Sequence, residues 1–284
     1  MTKVYSVCEF LQSVKTMKSL KYAEDEILFF RGSSDKAYSL QPSVFRQGNK
    51  LTESDAYHDI MMEYPEQFVG KEHLSNLVKM QHYGLRTRLL DVTRNPLIAL
   101  YFACEQNLNK DAKVSCFKKK KSEVLHHNSD RALMLACIPA FSVKEQEEIR
   151  KFCELHRGLI TDNMIASNVS MKRLLHEIRS EFPAFETAII GEDLLKNYFV
   201  ATYKDNQRMK VQDGAFVICG LQNNVDDLNN IAVDIVIDSS AKKEILRDLK
   251  LLGISSSTVY PDFERTAMAI ASDRRVDWVD IYDD

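Results

Sequence analysis

The sequence predicts an α+β protein with a mixed sheet at its core and helices flanking it. Two patterns carry that expectation, namely apolar residues recurring at helical spacing in several segments and short β-branched or aromatic runs between them. The two kinds of segment interleave without a regular strand–helix–strand rhythm, which separates the chain from the parallel α/β folds.

The first helix is expected over 7–20, where Val7, Phe10, Leu11 and Val14 share a face. Residues 26–31 (EILFFR) form a short apolar run that ends in a Gly-Ser turn and read as a buried strand, which delivers Arg31 to a loop mouth. A second helix over 52–68 has Ala56, Ile60, Met61 and Tyr64 at helical spacing, with Thr52 and Asp55 placed as capping partners. A third over 74–82 stops near Gly84. Asn95-Pro96 suits a helix cap and first helical position, so a helix is expected over 96–105. Further along, 131–138 (RALMLACI) reads as a strand, 142–155 as a helix, 215–219 and 231–237 as strands, and 242–251 as a helix followed by Gly253. Residues 257–260 read as a short strand, and Pro261 opens a last helix.

The 284 residues are 45% hydrophobic and 28% charged, enough apolar material for a sizeable core and unlike a disordered or disulfide-dense chain. A net charge of −3 excludes a generally basic nucleic-acid coat, leaving only a local lysine run at Lys118, Lys119, Lys120 and Lys121. With nine glycines, six prolines and no Gly/Ser-rich or Pro-rich tract, nothing marks a flexible linker, and one domain over 1–284 is expected. Its one interruption is 105–130, polar and lysine-rich, expected as a surface loop or insertion. The six cysteines are scattered without a CxxC pair and read as free thiols. Cys116, His126 and His127 lack compact ligand spacing, so no metal is expected. Neither a signal peptide nor an apolar run of about 18 residues is visible, so the expectation is a cytoplasmic protein with no membrane association.

Two places concentrate chemistry. Arg31 at a strand end can be fixed from behind while its donors face an anion; a buried pair with Asp91 is the alternative. Around Gly84, the segment MQHYGLRTRLLDVTRNP gathers Gln81, His82, Tyr83, Arg86, Thr87, Arg88, Asp91, Thr93 and Arg94, either as a polar cleft wall or as a structural hydrogen-bond network. Glu264 near the start of the last helix is favoured there by the helix dipole, with or without a further role. Trp278 and the acidic tail around it are either a docking segment or a packed terminus.

FFRGSS, LQPSVFR and above all QHYGLRTRLLDVTRNPLIALYFAC resemble the FRG-domain family, named for a Phe/Tyr-Arg-Gly motif matched here by Phe30, Arg31 and Gly32. The likeness is strong over 27–104 and continues more weakly through Arg208, Gln212, Gly214 and Phe216 to Glu264, with departures at Arg86 and Val92. The order of an early strand-end arginine, a threonine before a helix and a late acid is similar to the layout of Arg-Ser/Thr-Glu ADP-ribosyltransferases. That resemblance implies NAD as a substrate, catalytic roles for Arg31, Thr93 and Glu264, and a cofactor cleft lined by Arg31, Gly32, His82, Tyr83, Arg88, Asp91 and Gln212. It further implies a macromolecular acceptor, a toxin or antiphage role and a regulatory partner. The alternative is a non-catalytic nucleotide or nucleic-acid sensor built on Arg31, Arg86, Arg88, Arg94 and the lysine run.

Overall fold

A computed structural model describes residues 2–16, 23–46, 51–186, 188–203, 207–222, 228 and 231–261. The chain runs through β1 (Thr2–Val4), α1 (Val7–Thr16), β2 (Glu26–Ser33), α2 (Glu53–Glu63), α3 (Pro65–Phe68), α4 (His73–His82), β3 (Leu89–Thr93), α5 (Pro96–Cys104), β4 (Ala112–Lys120) and β5 (Leu125–His126). It continues with α6 (Asp130–Cys137), α7 (Val143–Leu155), β6 (Leu159–Ile160), α8 (Asp162–Ala166), α9 (Val169–Glu181), β7 (Ile189–Ile190), α10 (Gly191–Leu195) and β8 (Tyr198–Ala201). The last elements are α11 (Gln207–Val211), β9 (Gly214–Ile218), β10 (Val233–Ile237), α12 (Lys242–Leu251) and α13 (Ser256–Val259).

The class is α+β. Eight strands form a mixed sheet in the order β1-β10-β4-β2-β3-β9-β8-β5, parallel at its two outer pairs and antiparallel between them. Strand alternation divides the core into three parts. Phe29, Leu90, Val92, Phe117, Phe199 and Val217 pack together on one face. On the other, Leu28, Phe30, Val114 and Ile235 meet α1, α5 and α12 over the β1–β2 half. Leu89, Val200, Phe216 and Ile218 meet α2, α4, α6, α9 and α10 over the β3–β5 half.

Several local signals act as the residues dictate. Thr52 and Asp55 form a reciprocal capping box at α2, and Ser142 with Glu145 does the same at α7. Asn95 accepts from the Leu97 amide at 2.9 Å to cap α5. Gly84 follows α4 at φ 86°, a left-handed conformation that favours glycine.

Four expectations are corrected. The helix predicted over 52–68 is interrupted at Tyr64, because Pro65 opens α3 and has no amide with which to continue α2. The predicted strand over 131–138 is the helix α6, enclosed so fully that Ala132 to Cys137 are all buried; an apolar run buried all round has no diagnostic period, and its Ala, Leu and Met residues are strong helix formers. Residues 257–259 belong to the helical turn α13 in place of a strand, with Tyr260 just past its end; the turn is started by Ser255, whose amide donates to Thr258 Oγ1 at 2.8 Å.

The largest correction concerns 105–130. That segment contains β4, an inner strand paired with both β10 and β2, whose Val114, Cys116 and Phe117 are fully enclosed. Its lysines hid the period. Lys118 lies 3.7 Å from Glu26 on one face, while Lys113, paired with Asp234 at 3.2 Å, and Lys119, over the Phe199 ring, lie on the other. The lysine run is thus divided between the two faces of the sheet and forms no single patch. The expected last helix, Glu264 and Trp278 lie outside the described residues. Among the described residues no helix is long and apolar enough to cross a membrane.

Candidate functional site

β2 pairs with β4 along its whole length, but its pairing with β3 is confined to Phe30 opposite Thr93. Beyond that point β2 and β3 separate, and the carbonyl of Asp91 that would continue the ladder needs another donor. Arg31 supplies it: Nη1 donates to Asp91 O at 2.6 Å, while the Asp91 carboxylate lies 3.9 Å away and is mostly exposed. The arginine is therefore tied chiefly to the backbone of its neighbouring strand, and neither expected arrangement describes it fully.

The separated strands leave a cleft of about 250 Å³ into which Arg31, Asp91, Thr93 and Gln212 all project, together with Arg46, Arg208, Tyr38, Glu105 and the Ser33-Ser34 turn. Burial lowers the Arg31 pKa, Asp91 offsets this in part, and the positive charge of Arg46 lowers it further. A guanidinium stays protonated under such pressure, so two like charges held close together form a site that an anion would relieve.

The rest of the cleft is held from outside it. Gly32 follows Arg31 and faces α5, where an added Cβ would lie 1.9 Å from Ala99 O and 2.7 Å from Ala103 N; the glycine of the motif is a packing requirement. The turn after it is pinned by Lys242, which is fully buried and donates from Nζ to Ser34 O, Gln106 O and Asn107 O at 2.8–3.1 Å. Desolvation pushes the Lys242 pKa down, and the three carbonyls satisfy all three of its donors. Thr93 donates to Gln212 O at 2.5 Å and accepts from the Asn95 amide at 2.9 Å, which joins the end of β3 to the α11–β9 turn and to the cap of α5. Gln212 in turn donates to Val259 O at 2.9 Å, Arg208 lies over the Tyr260 ring, and the Tyr260 hydroxyl donates to Glu105.

Three other residues expected at the cofactor cleft lie elsewhere. Arg88 is 1% exposed and locked to Glu53, its amide, Nε and Nη2 all donating to that carboxylate at 2.6–2.9 Å. The His82 and Tyr83 rings lie 5.1 Å apart, tilted at 50°, at the end of α4, with Tyr83 largely exposed. Arg46, Tyr38, Glu105 and Tyr260 had no role from the sequence; Arg46 stands in LQPSVFR, where the pattern marks the residue but not its direction. Lys242 looks like an ordinary surface lysine at the start of an amphipathic helix.

Comparison with known proteins follows the same motifs. Residues 26–112 match the FRG domain family, a span that begins with β2 and ends as β4 begins. The chain carries an FRG domain. No curated protein and no solved structure is significantly similar to it. Within the FRG span lie Arg31, Arg46, Asp91, Thr93 and Glu105, whereas Arg208, Gln212 and Lys242 come to the cleft from later in the chain.

Proposed function

We propose that the cleft of the FRG domain binds the pyrophosphate of NAD and that the protein is an ADP-ribosyltransferase acting on a macromolecular acceptor. The supporting observation is the convergence of Arg31, Arg46 and Arg208 on one cleft, with Arg31 fixed from behind by a backbone carbonyl. Arg31 and Arg46 would hold the phosphates, and Thr93 would act by holding the Gln212 turn as the cleft wall. In the transfer, the bond from ribose C1′ to nicotinamide breaks, nicotinamide leaves with the electron pair, and an acceptor nucleophile bonds C1′ and gives up its proton. A carboxylate beside the oxocarbenium-like centre lowers that barrier. The resemblance assigns this role to Glu264, four residues beyond Tyr260, which itself docks beside Arg208.

A thermal-shift titration with NAD tests the reading. Wild type should gain about 2.7 kcal/mol at a ligand concentration of 100 Kd, since ligand binds only the native state. Arg31→Ala should lose the shift, and Glu264→Gln should keep it while losing nicotinamide release. No shift for wild type at millimolar NAD refutes the reading. A second reading, a nucleotide or nucleic-acid sensor without chemistry, is favoured by the described carboxylates: Asp91 is mostly exposed and Glu105 is hydrogen-bonded to Tyr260. NAD binding without nicotinamide release, or nucleic-acid binding that falls steeply with salt, would select it.

A further inference from the structure

On the helical side of the molecule, away from the arginine cleft, three helices bring together a donor set that the proposed reaction does not use. His73 is the first residue of α4, Cys137 the last of α6, and Glu181 the last of α9. One ring nitrogen of His73, Sγ of Cys137 and a carboxylate oxygen of Glu181 all lie within 4.8 Å of one another. Glu177, one helical turn before Glu181, places Oε1 3.3 Å from His73 Nε2. That spacing equals the edge of a tetrahedron around a cation with nitrogen and oxygen ligands at about 2.0–2.1 Å.

Two further features fit a ligand here. Glu181 uses Oε2 to accept from the His73 amide at 2.9 Å, but Oε1 is enclosed with no hydrogen-bond partner. An orphaned buried carboxylate oxygen is costly, and a cation removes the cost. The other face of the histidine is also prepared: the Tyr57 hydroxyl lies 2.6 Å from Nδ1, the contact that fixes the ring of a metal-ligating histidine whose Nε2 faces the ion. A cavity of about 400 Å³ lined by Tyr57, His73, Glu177 and Glu181 opens to the surface and provides an entry path, with Cys137 buried behind it.

We infer that His73, Cys137, Glu177 and Glu181 bind one zinc-class divalent cation. A thiolate and an imidazole beside two carboxylates select zinc over magnesium or calcium, which prefer all-oxygen shells. On binding, the Cys137 thiol gives its proton to solvent, and the side chains close by about 1 Å from their widest spacing to reach zinc–ligand distances. The ion ties together α4, α6 and α9, and through α4 it braces the helix that leads into Gly84 and β3.

The test uses the full chain carrying Cys8→Ser, which removes the one exposed thiol, after chelator treatment. Titration with Co²⁺ should give a thiolate-to-cobalt charge-transfer band and intense tetrahedral visible bands that saturate at one ion per chain and vanish on adding Zn²⁺. Cys137→Ser should lose the charge-transfer band, Glu181→Gln should weaken binding at least tenfold, and Zn²⁺ should raise the melting temperature of the parent protein but not of Cys137→Ser. If the Cys137 variant does not fold, the parent spectrum decides, because the remaining thiols are buried away from any such donor set among the described residues. Octahedral aqueous cobalt absorption alone, or a melting temperature unmoved by Zn²⁺, overturns the inference and leaves His73 as a hydrogen-bonded histidine between two carboxylates.

Discussion

Arg31 donates to one backbone carbonyl at a cleft and keeps about one-fifth of its side chain exposed, whereas Arg88 is 1% exposed and makes three hydrogen bonds to Glu53 and one to Gln146. Both arginines belong to the motifs that mark the FRG domain. The difference teaches that two motif arginines of one chain can do unrelated structural work. Arg88 ties the start of β3 to the start of α2, and Arg31 spans the gap where β2 leaves β3. Removing one partner of a buried pair strands a charge, while removing a group at an open cleft leaves water in its place.

The largest effect is therefore expected at the buried pair. Arg88→Ala or Glu53→Gln should lower unfolding free energy by about 3–5 kcal/mol in denaturant titrations, against about 1 kcal/mol for Arg31→Ala. Equal losses at the two arginines would end the distinction. Next comes Gly32→Ala, whose methyl meets the backbone of α5; a loss of about 1–3 kcal/mol is expected even though the variant leaves the Arg31 side chain intact. A Gly32→Ala protein as stable as wild type would show that α5 yields and that this glycine serves the ligand instead. The smallest effect is expected for Thr93→Val, which removes the bonds to Gln212 O and the Asn95 amide for about 1 kcal/mol. Amide exchange over 207–214 should quicken in that variant, since Thr93 is a tie to the turn, and an unchanged exchange pattern would remove its positioning role.

How much of this could be read in advance varies by element. Helix α5 was legible from its Asn95-Pro96 start, and α2 and α12 from one-sided apolar periods, with the Thr52–Asp55 pair opening α2 and Gly253 following α12, because all of these signals are local. α6 was not, since its apolar residues are buried on all sides, and β4 was not, since lysines on both faces broke its alternation; Lys113, Lys118 and Lys119 are compensated by partners distant in sequence. At the site, Arg31, Asp91, Thr93 and Gln212 were legible and do share one cleft, while Arg88 carries the same chemical signal and turns inward. Nothing local distinguishes an arginine lining an open cleft from one facing a buried glutamate 35 positions away.

By itself, the sequence determined the α+β class, the caps of α2 and α5, the stops after α4 and α12, the FRG motifs and the ordinary acid–base balance that rules out a basic coat. Those properties depend on neighbours within a few residues or on sums over the whole chain. Only the tertiary structure decided that β2 and β3 part after one pair, that Lys242 reaches three carbonyls more than 130 positions away, and that His73, Cys137 and Glu181 meet. Such contacts follow from which faces of the sheet and helices are brought together when the core closes, and no periodicity along the chain records that choice.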